Sequence, residues 1–141
     1  MVKFTISGLP GSGTSTLVGT LCDELGYSSL NGGDVFRDEA AARGLSVASF
    51  SELCISDSTV DRALDQRLVE SMNDPQGPDI VESRLAGWWA YREGIKCHRI
   101  WIEVDLEERL RRVALREGDD LQRRQESMIR EEADRQRYSE L

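Results

Sequence analysis

A glycine-rich stretch close to the start of the chain contains the residue types that most directly predict chemistry. It reads GLPGSGTS over residues 8–15, the spacing of a phosphate-binding loop, G-x-x-x-x-G-K-[ST], with Thr14 where lysine belongs. Glycines let the backbone adopt conformations closed to other residues and let phosphate oxygens approach the N–H groups. The positive end of the following helix adds to the same anion site. A plain glycine-rich turn is the alternative, but we predict a site for the phosphates of ATP made by Gly8, Leu9, Pro10, Gly11, Ser12, Gly13, Thr14, Ser15 and Thr16.

Two oxygen-bearing side chains predict a magnesium site beside this loop. The Ser15 hydroxyl stands where such loops bind Mg²⁺, and Glu82 ends the apolar segment DIVES (79–83). A carboxylate at the end of a buried strand must face a cleft or find a partner, because burying it bare is costly. Many nucleotide-binding α/β proteins hold the metal with a carboxylate at this point. A structural ion pair is the alternative for Glu82.

Strands that alternate with helices would position these residues. The apolar patterns predict strands over residues 2–7, 27–30, 79–83 and 98–104. They predict helices over residues 14–25 and 34–43, two more within 46–72, one through 85–93, one from Asp105 to Gly118 and a polar helical tail over 119–141. Asp105 and Glu108 have the spacing of a capping box. Such alternation predicts a parallel sheet with right-handed crossovers and helices on both faces, a three-layer α/β fold.

Length, composition and charge narrow the class of protein. The 141 residues fit one compact domain, and 39% hydrophobic with 31% charged residues excludes general disorder. The net charge of −8 argues against binding nucleic acid, which needs a basic face. We predict no membrane span and a cytoplasmic location, since no apolar run has the length of a signal peptide or a spanning helix. The cysteines are far apart and the single His98 has no obvious partner, so we interpret them as structural.

Four further stretches resemble the archaeal-type cytidylate kinases, a family of nucleoside monophosphate kinases. GDVFR (33–37) is similar to a G-D-x-x-R segment and DRALDQR (61–67) to a D-R-x-[IL]-D-x-R helix. ESRLAGW (82–88) is similar to E-[GS]-R-L-A-G-W, and REEADRQRY (130–138) to R-E-x-S-E-x-x-R-Y. With the glycine-rich loop, the resemblance covers essentially the whole chain in the family's order. It implies the P-loop NTPase fold and an ATP- and Mg²⁺-dependent phosphotransferase.

The resemblance also implies roles for charged residues outside the loop. Arg37 and Arg84 would grip the acceptor's monophosphate, a bidentate task that suits arginine. The aspartates on the acceptor side would be Asp34, Asp61, Asp65 and Asp134. The catalytic arginines would be Arg112 and Arg116 near the donor phosphates, and Arg130 and Arg137 closing over the acceptor. For charges spaced four apart on a helix, a solvated face is the ordinary alternative. For Trp88 and Trp89 we favour core packing over base stacking.

Two departures from the family pattern bear on these expectations. Thr14 replaces the lysine of the loop, and the chain stops at Leu141 where the family continues into a last strand and helix. We expect either a cut chain or a sheet that lacks its fifth strand and exposes an edge open to pairing. A monomer is expected, with a dimer through that edge as the alternative. We divide the single domain into a core (1–36 and 75–115), an acceptor-binding insert (37–74) and a lid with its following helix (116–141).

The sequence therefore predicts a kinase that transfers the γ-phosphoryl group of ATP to CMP or dCMP, giving ADP and CDP or dCDP. Its partners would be these small nucleotides. Two alternatives stay open: a P-loop kinase for another small acceptor, such as AMP, UMP or a sugar acid, and a nucleotide-binding relative without turnover. The missing lysine is the feature that keeps the second alternative open.

Overall fold

The computed structural model of the protein describes residues 1–117, with Arg116 and Glu117 described by their backbone alone, and the helical positions Glu132, Arg135 and Ser139. The strands are β1 (Phe4–Gly8), β2 (Ser29–Asn31), β3 (Ile80–Glu82) and β4 (His98–Ile102). The helices are α1 (Thr14–Leu25), α2 (Gly32–Ala42), α3 (Val47–Ser56), α4 (Ser58–Asn73), α5 (Ala86–Arg92) and α6 (Leu106–Glu117). Every strand and helix predicted within residues 1–117 is confirmed, with small shifts at the ends. The predicted tail over 119–141 lies almost wholly outside the described residues.

The carboxyl ends of three neighbouring strands lie side by side at the same end of the sheet. Its order is β2-β3-β1-β4, and the pairs within it are parallel. In the register of the sheet Asn31 lies opposite Glu82, and Glu82 lies opposite Ile6, two residues before Gly8. Because parallel strands point the same way, their carboxyl ends form one crevice, the place where open α/β sheets bind ligands.

Hydrophobic side chains cover both faces of the sheet, which confirms the three-layer α/β class. On one face Ile6 and Ile80 pack against Val18 of α1. On the other face Val81 packs with α4, α5 and α2, in a cluster that includes Leu68, Val69, Met72, Ala86 and Ala90. Adjacent strand residues point to opposite faces, so Ile80 and Val81 serve different layers. The short strand β3 is therefore buried on both sides.

Helix α5 lies close to the sheet because small residues separate them. Ala86 and Ala90 are fully buried, and the Ser7 hydroxyl on β1 accepts a hydrogen bond from the Gly87 N–H at 3.3 Å. Trp89 is buried in the core, as predicted, whereas Trp88 is 41% exposed and contacts Tyr91 at a ring separation of 5.9 Å. The core interpretation is therefore confirmed for Trp89 and wrong for Trp88.

The three helices between β2 and β3 contain a small core of their own. Phe50 of α3 is fully buried against Ala40 and Cys54, and its ring lies 4.7 Å from that of Phe36. Each of the later two helices begins with a side-chain cap. The Ser46 hydroxyl accepts from the Ser49 N–H, and the Asp57 carboxylate accepts from the Thr59 N–H. The Thr59 hydroxyl also donates to Asp57, and this bond together with the one from the N–H holds the pKa of Asp57 below its usual value.

One side of β4 is open in the described part of the chain. The strand pairs with β1, and its outer side has no partner strand among residues 1–117. Arg99 and Trp101 of β4 are exposed, and the Arg99 guanidinium lies over the ring of Tyr91 at 5.1 Å. The open edge that we expected is thus present within the described sheet. No helix in the described residues combines the length and apolarity needed to cross a bilayer.

The core between α2, α3 and α4 leads to a stability prediction. Phe50→Ala should lower the free energy of unfolding by about 3–5 kcal/mol, because it removes a fully buried ring and leaves a cavity. Ile55→Ala, on the same helix at a position 58% exposed, is the matched control and should change it by no more than about 0.5 kcal/mol. Urea unfolding followed by circular dichroism measures both. Equal losses in the two variants would show that this cluster does not stabilise the fold.

Candidate active site

The glycine-rich loop turns tightly between β1 and α1. Gly11 and Gly13 have φ values of +83° and +89°, a left-handed region that favours glycine. Gly13 is also the N-cap of α1, and among the described residues no side chain caps this helix. The first N–H groups of α1 are therefore open to an anion, as the sequence predicted. The buried Ser12 hydroxyl oxygen likewise has no hydrogen-bond partner within the described part of the chain.

Helix α6 holds the loop from outside. A Cβ atom at Gly11 would lie 2.5 Å from the carbonyl oxygen of Arg109, so a side chain there would collide with backbone. Arg109 is 5% exposed, and its Nε donates to the carbonyl oxygen of Val104 at 2.9 Å. We did not single out Arg109 from the sequence, because nothing in a helical run of charges shows which member is buried. Its backbone explains why position 11 must be glycine.

The Glu82 carboxylate connects the loop to the neighbouring strand. It is 7% exposed, and its Oε1 accepts a hydrogen bond from the Ser15 hydroxyl at 2.8 Å. Its Oε2 accepts one from the Asn31 amide nitrogen, also at 2.8 Å. Both of these hydrogen bonds come from uncharged side chains, Ser15 and Asn31. A hydroxyl and a carboxylate are hard oxygen ligands of the kind that Mg²⁺ prefers, so this pair fits that ion.

Asn31 is a site residue that our reading of the sequence missed. Its side-chain oxygen accepts from the N–H groups of Gly33 at 2.7 Å and Asp34 at 3.2 Å, which caps α2. An asparagine just before a predicted helix is a recognisable cap signal. The contact with Glu82 has no signal in the sequence, because it depends on the pairing of β2 with β3.

The predicted acceptor-binding residues follow two neighbouring strands. Asp34 and Arg37 lie in the first turns of α2, where their side chains form an exposed ion pair at 2.6 Å. Arg84 is half-buried in the turn between β3 and α5, two residues after Glu82. Since β2 and β3 are adjacent and parallel, both arginines follow strand ends at the same end of the sheet. The phosphate-binding loop follows β1 at this end as well.

The two aspartates of α4 are not on a solvated face. Asp61 is 6% exposed, and Asp65 is largely buried with an ion pair to Arg62 at 3.3 Å. Buried carboxylates on a helix are rare unless they are paired or functional. The solvated-face alternative is therefore wrong for Asp61.

Arg112 of α6 reaches the outside of the loop. Its Nε donates to Glu108 at 3.0 Å, and its Nη1 lies 3.5 Å from the carbonyl oxygen of Gly11. The Glu108 carboxylate also accepts two hydrogen bonds from Arg111. The bonds from Arg111, and to a smaller extent the one from Arg112, lower the pKa of Glu108 to about 2. Asp105 does cap α6 by accepting from the Glu108 N–H at 3.0 Å. The other half of the predicted capping box, a bond from the Asp105 N–H to the Glu108 side chain, is wrong, because that side chain bonds Arg111 and Arg112 instead.

A cleft of about 650 Å³ lies between the loop and this arginine. It is lined by Gly11, Ser12, Gly13, Thr16, Leu17, Thr20 and Arg112. Four other residues in our predicted site cannot be placed. The side chain of Arg116, together with Arg130, Asp134 and Arg137, falls outside the described residues.

Comparison with known proteins places the chain in a family. A family model described as an AAA domain matches residues 7–130. A cytidylate kinase of Archaeoglobus fulgidus is 41% identical over 138 residues, which is 97% of this chain and 74% of that one. A cytidylate kinase of Halobacterium salinarum is 44% identical over 141 residues, 96% of this chain and 70% of that one. The chain belongs to the cytidylate kinase family.

Solved structures agree with the fold of this cytidylate kinase family member. An uncharacterized protein from Eubacterium ventriosum superposes with a TM-score of 0.61 at 15% identity, over 98% of this chain and 75% of that one. A protein from Thermus thermophilus superposes with a TM-score of 0.59 at 23% identity, over 97% of this chain and 84% of that one. These likenesses support the P-loop α/β fold alone.

The contact between the loop and α6 leads to a prediction for this cytidylate kinase family member. Gly11→Ala should abolish detectable ATP binding, because it adds strain at a φ of +83° and a collision with the Arg109 carbonyl. Gly19→Ala is the matched control, since its Cβ would meet nothing within 4 Å and alanine is the better helix former by about 1 kcal/mol. Isothermal titration with ATP and thermal unfolding of both variants are the measurements. ATP affinity in Gly11→Ala equal to that of Gly19→Ala would contradict the assigned loop.

Proposed function

We propose that this protein is an ATP-dependent cytidylate kinase that transfers the γ-phosphoryl group of ATP to CMP or dCMP, giving ADP and CDP or dCDP. The observation that carries this proposal is the path of contacts from the phosphate loop through Glu82 to the start of α2. This path supports a donor site after β1 and an acceptor site after β3 and β2, three neighbouring strands of the sheet. The cytidylate kinases among its relatives supply the identity of the acceptor.

The reaction needs little covalent chemistry from the protein. A phosphate oxygen of CMP attacks the γ-phosphorus, the bond from that phosphorus to the β,γ-bridging oxygen breaks, and ADP leaves with the electron pair. The protein must hold the two phosphates in line, neutralise their charge and keep water out. The arrangement of the loop and the neighbouring arginines suits the first two tasks.

The donor phosphates would be bound by the backbone N–H groups of the loop and the uncapped start of α1. The Ser12 and Thr16 hydroxyls are further donors on this side of the cleft. Thr14 brings no charge, so a cation must come from another element. Arg112 is the candidate within the described residues, because its guanidinium already lies beside Gly11.

Mg²⁺ would be held by Ser15 directly and by Glu82 through water. The ion supplies charge neutralisation on the β- and γ-phosphates. Magnesium sites in phosphotransferases commonly use only one or two protein oxygens and complete the shell with phosphate and water. The Ser15 hydroxyl and the Glu82 carboxylate, 2.8 Å apart, match that pattern.

The acceptor would be bound between α2, α4 and the turn after β3. Arg37 and Arg84 would bind its phosphate, and Asp34, Asp61 and Asp65 would contribute to recognition of the nucleoside. Residues 116–141 would form the lid and the helix after it, with Arg116, Arg130, Asp134 and Arg137 closing over the substrates. Closure of such a segment would exclude water during transfer.

A panel of acceptors tests the function. In an assay that couples ADP formation to NADH oxidation, we expect CMP or dCMP to give the highest kcat/KM among CMP, dCMP, UMP, AMP and shikimate. A tenfold higher value for AMP or shikimate would assign the protein to another kinase class. ATP binding without turnover on any monophosphate would assign it as a nucleotide binder.

Arg112 and Arg111 form a matched pair that tests the source of positive charge. Arg112→Ala should lower kcat about 10²- to 10³-fold, because it removes the cation that lies beside the loop, where charge would develop during transfer. Arg111→Ala removes a cation that bonds the same Glu108 carboxylate, and it should lower kcat no more than about threefold. Thr14→Ala should also have a small effect, since the side chain at 14 carries no charge. An equal loss of kcat in Arg112→Ala and Arg111→Ala would show that Arg112 does not replace the missing lysine.

A further inference from the structure

We propose that Asn31 is a positioning residue that sets, with one side chain, both the Glu82 carboxylate and the start of helix α2. The inference rests on the proposed function, because it assigns a task within the same site. Its observation is independent of that function, namely that the two ends of one amide group are engaged on different elements. The amide nitrogen bonds Glu82 on β3, and the amide oxygen bonds the first N–H groups of α2.

The chemistry of the neighbours determines the orientation of the Asn31 amide. Its nitrogen lies 2.8 Å from an oxygen of the Glu82 carboxylate. An ionised carboxylate has no proton to donate, so it can only accept a hydrogen bond. Its oxygen lies 2.7 Å from the Gly33 N–H, which can only donate. Turning the amide over would place donor against donor and acceptor against acceptor. The side chain therefore has one satisfied orientation.

Few other residue types could replace Asn31. Aspartate can cap a helix but has no donor for Glu82 when ionised. The single oxygen of serine or threonine would have to accept from α2 and donate to Glu82 from one place, whereas the amide makes the two contacts with two atoms. Aspartate would also place a second carboxylate against the first, and glutamine would shift the amide by one methylene. Alanine would leave one carboxylate oxygen and two N–H groups without these partners. The residue type thus matches a double requirement rather than a cap alone.

The position of Asn31 follows from the sheet. It is the last residue of β2 and lies opposite Glu82 in the register of the parallel pair. Gly32, which follows, has no room for a side chain, because a Cβ atom there would lie 2.7 Å from the Cβ of Ser83. The close approach of the two strand ends brings the amide within reach of the carboxylate. It also fixes where α2 begins.

Glu82 is held from both sides by this arrangement. Ser15 donates to one of its oxygens and Asn31 to the other, so rotation of the carboxylate would break both bonds. Replacing a hydrogen-bond partner of a residue that holds a metal commonly changes metal affinity or activity 10- to 100-fold. We therefore assign to Asn31 a share of the Mg²⁺ requirement as well as the capping of α2.

An exchanged pair tests the bond without substrate or metal. Asn31→Asp keeps the cap but removes the donor, and it should lower Tm by about 4 °C or more in the nucleotide-free protein with EDTA. Adding Glu82→Gln supplies an amide that can donate to the new carboxylate, so the double variant should recover most of that loss. Glu82→Gln alone should bring no such gain. If Glu82→Gln changes Tm equally in both backgrounds, the contact does not couple the two residues and the proposal is overturned.

Asn31→Ser separates the positioning role from capping. Serine caps about as well as asparagine, so CMP affinity measured by calorimetry without ATP or Mg²⁺ should stay within about twofold. The Mg²⁺ concentration for half-maximal activity should rise about tenfold, because the shorter serine side chain lacks the amide nitrogen that donates to Glu82. Asn73→Ser is the matched control, since the Asn73 amide bonds within its own helix. Wild-type Mg²⁺ dependence in Asn31→Ser would reduce Asn31 to a helix cap and overturn the proposal.

The two experiments also separate this inference from the proposed function. If the wild-type protein phosphorylates no monophosphate, the kinase assignment fails while the Tm comparison still decides the bond between residues 31 and 82. If the kinase is active and the Tm comparison shows no coupling, the inference fails while the function stands.

Discussion

The buried carboxylate of Glu82 is the constraint on which the arrangement of the site depends. A charged group that is 7% exposed is costly unless its oxygens are hydrogen-bonded. Ser15 and Asn31 meet this requirement from two sides, and each belongs to a different element. The need to satisfy one charge therefore aligns the start of α1, the end of β3 and the start of α2. The same bonds fix the orientation of the carboxylate at the carboxyl end of β3.

Steric exclusion shapes the loop as strongly as electrostatics does. Gly11 is needed because the Arg109 backbone occupies the space that a side chain would fill. The loop is thus held between β1 and α6, and the buried Arg109 side chain ties the start of α6 to Val104. A loop held this way presents its N–H groups in place before a ligand arrives, which lowers the reorganisation needed for binding.

Charge around the loop is arranged on α6 rather than within the loop. Thr14 leaves the loop without a cation of its own, while Arg112 is held beside it by Glu108. The Glu108 carboxylate stays ionised down to a pKa of about 2, so it can hold Arg112 throughout the physiological pH range. A cation on a helix next to the loop differs from a lysine inside it, because its position depends on how that helix packs. The packing of α6 therefore determines where the positive charge beside the loop lies.

Sequence alone determined the order of strands and helices, the three-layer α/β class and the phosphate loop, because periodicity and glycine spacing are local properties. It also placed Glu82 at a strand end and predicted the cap at Asp105. Tertiary structure decided what depends on contacts between distant segments. Asn31 meets Glu82 only through the pairing of β2 with β3, and Trp88 and Trp89 separate into exposed and buried positions only when α5 packs on the sheet. Asp61 and Arg109 are buried by tertiary packing, which a run of charged residues in the sequence does not reveal. Glu108 bonds two arginines rather than the start of its own helix, because side-chain geometry and not sequence spacing selects its partner.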